Sequence, residues 1–202
     1  MRLAVFGGTF DPVHVGHLIH AQRASEMLNC PVLFVPAADP PHKKGGTRAS
    51  AQDRLAMVTA AIAHNQRFQL SRVDLDRPGP HYSVDMLHIL CQQYPSDTEW
   101  FFLLGADSLR DLPHWHQPVE LMQLARLGVF ARPDVTIEMN DLEAALPGLS
   151  ESVIWMDSPL IDLSSSVIVE GIMKGFSPRY LVPDAAMEIL QQRKLYGYEQ
   201  TT

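Results

Sequence analysis

The chain has 202 residues, 46% of them hydrophobic, which is enough for one α/β domain that buries roughly 70% of its unfolded surface without a disulfide or metal staple. Sixteen Lys plus Arg against 23 Asp plus Glu leave a formal charge of −7, which argues against a general nucleic-acid partner or an anionic membrane surface. Any anion must therefore be held locally, and the two cysteines, Cys30 and Cys91, are too few for a disulfide framework and read as buried thiols of a reducing compartment.

From Met1 the chain enters a short apolar run, Leu3 to Phe6, with no signal-peptide core, and its longest strongly apolar stretch, Trp100 to Ala106, is far short of the ~20 residues that span a bilayer. A soluble cytoplasmic protein is expected. The run Leu3 to Phe6 predicts a first strand, and Leu18, Ala21, Ala24 and Leu28 then share one face of a predicted helix. Val32 to Val35 predicts a second strand, followed by a Pro-, Gly- and Lys-rich loop over Pro36 to Thr47. Phe68 to Val73 predicts a third, Arg77 to His81 a turn-forming loop, and Val84, Leu87 and Cys91 another helical face. Trp100 to Leu104 and Leu127 to Ala131 read as further strands. Arg132 to Ser152 reads as a surface connection with a weak helix around Asp141 to Leu146, before a last strand at Val153 to Met156. Uninterrupted β-branched and aromatic runs are what strands buried on both faces look like, so the order implies a five- or six-stranded, mainly parallel sheet in a Rossmann-like α/β fold. The core is expected over residues 1–163, with a small helical subdomain, 164–202, packed on it.

In parallel sheets ligands sit at the C-terminal ends of strands, so the residues after each strand carry the functional signal. The first strand ends in Phe6-Gly7-Gly8-Thr9-Phe10-Asp11-Pro12-Val13-His14-Val15-Gly16-His17. Two glycines let the backbone turn and approach a ligand, and a following helix start offers free N–H groups to an anion. His14 and His17 are three apart and can face one pocket from a first helical turn. The stretch is neither GxGxxG nor a Walker A loop. The same histidines also fit a simple helix cap, and His14, His17 and His20, with no Cys or Glu nearby, do not make a metal site. His20 is expected to serve ordinary packing.

GGTFDPVHVGH resembles the signature of the [HT]xGH nucleotidyltransferase superfamily, in its bacterial nicotinate mononucleotide adenylyltransferase branch. The resemblance runs on through Pro36 with Pro40-Pro41-His42-Lys43, Tyr82-Ser83-x-Asp85, Gly105-Ala106-Asp107 with Trp115, Leu163-Ser164-Ser165-Ser166 and Arg179-Tyr180-Leu181-Val182-Pro183, and so covers essentially the whole chain. It implies a nucleotidyltransferase fold and transfer of AMP from ATP, with Mg²⁺ bound through the ATP phosphates, to nicotinate mononucleotide by direct in-line displacement. His17 and His14 are implied as catalytic. Gly8, Thr9, Phe10, His42, Lys43, Gly105, Asp107, Ser164, Ser165 and Arg132 are implied on the ATP side, and Ser83, Trp115 and His116 on the side of the pyridine nucleotide. Taken without the resemblance, Lys43 and its neighbours are a solvated loop, Asp107 a helix cap and Trp115 a hydrophobic plug.

One position departs from the family. Its pattern there is SSTxIR, whereas Ser164-Ser165-Ser166-Val167-Ile168 is followed here by Val169. Ser165 and Val169, four apart on one helix face, would set a long side chain at 169 beside phosphates docked at the helix start. Either the missing guanidinium slows the reaction, or Arg132, Arg179 or Lys174 takes its place. Two other readings follow. One is a phosphopantetheine adenylyltransferase, against which stand His14, the Pro-Pro-His-Lys loop and Trp115. The other is a nucleotide-binding protein whose catalysis is impaired by Val169. The substrates are small molecules in every case, and the sequence leaves self-association into a homo-oligomer open.

Overall fold

The computed structural model describes residues 1–38 and 46–199. Six strands, β1 (Arg2–Gly8), β2 (Val32–Pro36), β3 (Phe68–Leu70), β4 (Glu99–Gly105), β5 (Arg126–Phe130) and β6 (Val153–Met156), form one sheet in the order β3-β2-β1-β4-β5-β6. Every neighbouring pair is parallel, with Ala4 beside Val32 on one side of β1 and Leu3 beside Trp100 on the other. The helices are α1 (Val15–Leu28), α2 (Ala51–Ile62), α3 (Ser83–Gln93), α4 (Ala106–Asp111), α5 (Pro118–Leu124), α6 (Met139–Ala145), α7 (Leu149–Ser152), α8 (Ser165–Met173) and α9 (Asp184–Gln192). Short 3-10 turns occupy Leu112–His114 and Leu195–Gly197.

Alternation along each strand feeds two cores. Ala4, Phe6, Phe34, Phe101 and Leu103 pack with Ala21 and Ala24 of α1 and Met57 and Val58 of α2. Leu3, Val5, Leu33, Phe102, Leu104 and Val129 pack with Val84, Leu87 and Leu90 of α3 and Leu109 of α4. That two-sided burial explains the uninterrupted apolar runs of the sequence. The third strand is shorter than its apolar run predicts. Its last ladder bond is from Ser71 N–H to the Phe34 carbonyl, after which Leu75 and Asp76 N–H groups both turn back to Arg72, and Val73 joins the opposite core. The stretch between β5 and β6 holds two short helices, and buried Leu146 and Leu149 anchor it to the α3 side.

The sequence also marks α2. Ser50 caps it, its hydroxyl accepting from Asp53 N–H at 3.1 Å, in an S-x-x-D pattern. After Ser164, Ile168 and Ile172 of α8 and Ala186, Met187 and Leu190 of α9 join the core already formed by β1 and α1. Cys30 is buried and Cys91 half-buried, both as free thiols. Among the described residues no helix is long and apolar enough to cross a membrane.

Candidate functional site

A cavity of about 460 Å³ opens over the C-terminal ends of β1, β4 and β5, where the sheet order reverses between β1 and β4. Its floor begins at Gly7 and Gly8. A Cβ at Gly8 would sit 2.9 Å from Phe10 Cζ, and Phe10 itself holds a left-handed φ of 50° that packs its ring inward, 2% exposed. The loop therefore lies close under whatever fills the cavity.

His14 precedes α1 in extended conformation, and its backbone N–H donates to His17 Nδ1 at 3.1 Å. With Nδ1 accepting, the neutral His17 ring carries its proton on Nε2. The two imidazoles stack at 3.6 Å, and Phe6 and Phe10 flank His17 edge-on. His14 is 5% exposed, and its Nδ1 has no hydrogen-bond partner among the described residues. His20, expected to serve packing alone, lies one turn further along the same face and lines the cavity. Its Nδ1 is 2.9 Å from the Ser158 hydroxyl and its ring lies 4.4 Å from that of Phe130. The i, i+3 spacing from His17 was the available signal.

Burial, then the Arg132 guanidinium and then His20, pull the His14 pKa down to about 4. Burial and then Arg132 bring His20 to about 4, and burial and then the other two histidines and Arg132 hold His17 well below its ordinary value. All three are neutral at pH 7. Folded-state values below the ordinary 6.5 mean that the unfolded chain takes up these protons first, so stability is whole above about pH 6.5 and falls as the pH drops towards 4. Each proton of difference is worth about 1.4 kcal/mol per pH unit. Melting temperature should be lower at pH 5 than at pH 7, and His20→Gln should narrow that gap; a midpoint that does not move over this range would show that the imidazoles are not held neutral.

Opposite the histidines, Ser164 and Ser165 open α8 onto the cavity. Ser164 caps the helix, its hydroxyl accepting from Val167 N–H at 3.3 Å, while Ser165 donates to the Pro12 carbonyl at 2.9 Å. Two helix starts thus face one space with their positive ends. Val169 does not reach that space. It lies one turn deeper, 1% exposed and off the cavity wall, so the expectation that position 169 points at docked phosphates is corrected: the side chain there packs inward. Of the three cations expected to compensate, Arg132 lines the cavity, whereas Arg179 lies over the Tyr180 ring and Lys174 is exposed at the end of α8. Gly105 and Asp107, at the end of β4, complete this side. A Cβ at Gly105 would collide with the Asp107 carboxylate and press on Arg132, and Arg132 Nε lies 3.8 Å from Asp107 Oδ1.

The far end is aromatic. Tyr82, before α3, stacks on His116 at 4.2 Å and 23°, and half-buried Trp115 meets Phe102 edge-on at 6.1 Å. Ser83 begins α3 beside them. Tyr82, Asp74 and His81 line this end as well and were not singled out from sequence as site residues. Thus Gly8, Thr9, Phe10, His14, His17, Ser83, Gly105, Asp107, Trp115, His116, Arg132, Ser164 and Ser165 all meet in one cavity. His42 and Lys43 lie outside the described residues.

The signature loop is held from behind. Buried Asp11 accepts from the N–H groups of Arg48 and Ala49 at 2.8 and 3.1 Å and from the Tyr196 hydroxyl at 2.8 Å. Burial and then the Asp11 carboxylate raise the Tyr196 pKa, keeping that phenol a donor. Arg54, wholly buried in α2, donates to the Thr9 carbonyl at 2.6 Å and to that of Ala38 at 3.0 Å.

Comparison with known proteins bears on this arrangement. The cytidylyltransferase-like family profile matches residues 5–171. A Thermomicrobium roseum protein named "Probable nicotinate-nucleotide adenylyltransferase" is 44% identical over 96% of this chain and 91% of its own length. A Synechococcus protein of the same name is 43% identical over 96% and 94%. In fold, the chain resembles a Plasmodium falciparum nicotinic acid mononucleotide adenylyltransferase solved with NaAD, at a TM-score of 0.79 and 17% identity over 98% of both chains.

Proposed function

The chain belongs to the cytidylyltransferase-like family, with nicotinate-nucleotide adenylyltransferases among its relatives, and from that premise we propose that it transfers AMP from ATP to nicotinate mononucleotide, a step of NAD biosynthesis. An oxygen of the mononucleotide phosphate attacks the α-phosphorus, the bond from that phosphorus to the bridging oxygen breaks, and pyrophosphate leaves as nicotinate adenine dinucleotide forms. The observation that carries this reading is the continuity of one cavity from a phosphate-gripping end, with His14, His17, Arg132 and the α8 start, to an aromatic end at Trp115, Tyr82 and His116.

We assign His17 Nε2–H to the oxygen on which charge builds as the α-phosphorus is attacked, and His14 to a neighbouring phosphate oxygen. Both act as neutral N–H donors, so no proton has to be taken up before the reaction. Gly8, Thr9 and Phe10 bring backbone close to the phosphates; Ser164, Ser165 and Arg132 hold the departing pyrophosphate end; Gly105 and Asp107 receive the ribose hydroxyls of ATP. The family resemblance adds His42 and Lys43 to the phosphate grip. When bound on the ATP phosphates, Mg²⁺ would supply charge neutralisation to the triphosphate. Asp107, on the cavity wall beside Arg132, would be the carboxylate to help hold it.

At the other end, Trp115 stacks on the pyridine ring, and backbone N–H groups near Ser83 and His116 receive its carboxylate. Phosphopantetheine, which has no flat ring, would leave that shelf without a purpose, and the relatives' names also disfavour it. Pyrophosphate release from purified protein with ATP and Mg²⁺ should appear with nicotinate mononucleotide and not with phosphopantetheine; the reverse preference would sink the assignment. Trp115→Ala should weaken nicotinate mononucleotide binding by about 1–3 kcal/mol, the range of aromatic stacking on a base, and ATP binding less. Equal losses for both ligands in calorimetric titration would mark Trp115 as a plug. We further propose a cytoplasmic enzyme, which suits two free thiols.

A further inference from the structure

Beneath the aromatic end lies a network that no part of the proposed reaction uses. The Arg77 side chain is 11% exposed and that of Asp74 is 9% exposed, and they form a close ion pair, with Nε and Nη2 both 2.8 Å from Asp74 Oδ1. The rest of the guanidinium is spent on backbone: Nη1 donates to the Pro80 carbonyl at 2.9 Å and Nη2 to the Tyr82 carbonyl at 3.0 Å. Asp85, in the first turn of α3, lies 3.9 Å from Nη1.

The Tyr82 carbonyl is also the acceptor for Met86 N–H at 3.2 Å, the bond that closes the first turn of α3. Arg77 therefore grips the same oxygen that starts the helix. It also bridges back across its own loop, so that His81, Tyr82 and Ser83, all on the cavity wall, leave the loop at a fixed angle. Tyr82 in turn carries the stack on His116. Arg77 is not among the residues lining the cavity, while its partner Asp74 is. A planar fork serving three acceptors at once is something a lysine ammonium, a compact point charge, does not reproduce.

We propose that Arg77 is a positioning residue for the acceptor end of the cavity: by tying the Asp74 carboxylate to the Pro80 and Tyr82 carbonyls it sets the start of α3 and the Tyr82–His116 stack, and so the affinity for the pyridine nucleotide, without touching it. The inference rests on reading that end of the cavity as the mononucleotide subsite. ATP, held at the opposite end, feels little of it.

Steady-state kinetics with each substrate varied in turn separates this from a general structural role. Arg77→Gln should raise the KM for nicotinate mononucleotide tenfold or more, while the KM for ATP stays within twofold and kcat within threefold. Arg77→Lys, which keeps the charge and a single hydrogen bond, should fall between wild type and Arg77→Gln, and it decides by the same split if the glutamine variant does not fold. A parallel rise in both KM values, a fall in kcat with both KM values unchanged, or no change at all would overturn the proposal. Wild-type protein that releases no pyrophosphate with nicotinate mononucleotide would overturn the subsite reading and this proposal together; an active wild type with an even-handed Arg77 defect would overturn the proposal alone.

Discussion

Replacing His17 with alanine should lower turnover by about 10²–10³ while leaving nicotinate mononucleotide binding nearly unchanged, because one donor aimed at developing charge is worth about 2.7–4 kcal/mol. The geometry makes the donor specific. His17 Nδ1 is occupied by the His14 N–H, the ring is clasped between Phe6 and Phe10, and only Nε2 is left to carry the proton. His17→Asn tests the same point from another side, since its amide N–H2 sits short of the imidazole Nε2 and should recover little. A folded His17→Ala protein that kept more than a tenth of wild-type turnover would show that some other group carries the charge.

Arg54→Ala should be strongly destabilising. The side chain is wholly buried, and its removal strips donors from the Thr9 and Ala38 carbonyls and leaves a buried void. Unsatisfied buried carbonyls and large-to-small truncation together cost about 3 kcal/mol or more, which for a domain of this size lowers the melting temperature by roughly 6–12 °C. Calorimetry reads this directly. A midpoint within two degrees of wild type would mean that the guanidinium is replaceable by solvent.

What sequence revealed of the fold and site follows from how local each signal is. The strands stood out because burial on both faces leaves no polar residue to interrupt them, and the run at Phe68 was overextended because an edge strand can end in mid-hydrophobic stretch when the next residue, Val73, turns into the other core. His14 and His17 could be paired from spacing alone, since they share one helical turn. His20 carried the same spacing, and its place on the cavity wall was missed because packing explains most histidines on an apolar helix face. Val169 misled because sharing a helix face with Ser165 fixes direction around the axis and says nothing of depth beneath the wall. Arg54 and Tyr196 act on carbonyls and a carboxylate in other loops, and Arg77 on a carboxylate and carbonyls of its own, contacts that no periodicity encodes.

The Asp11–Tyr196 hydrogen bond joins residues 185 positions apart. Ribosomes make the signature loop long before residue 196, and β1 waits for β4 to be synthesised before its second edge can pair. The last brace on that loop comes later still, when residue 196 exists to reach back to it. The cavity is therefore begun well before it is finished: a nascent chain that already holds GGTFDP does not yet hold the fully braced loop, and His14 and His17 reach their final setting only after residue 196 is made.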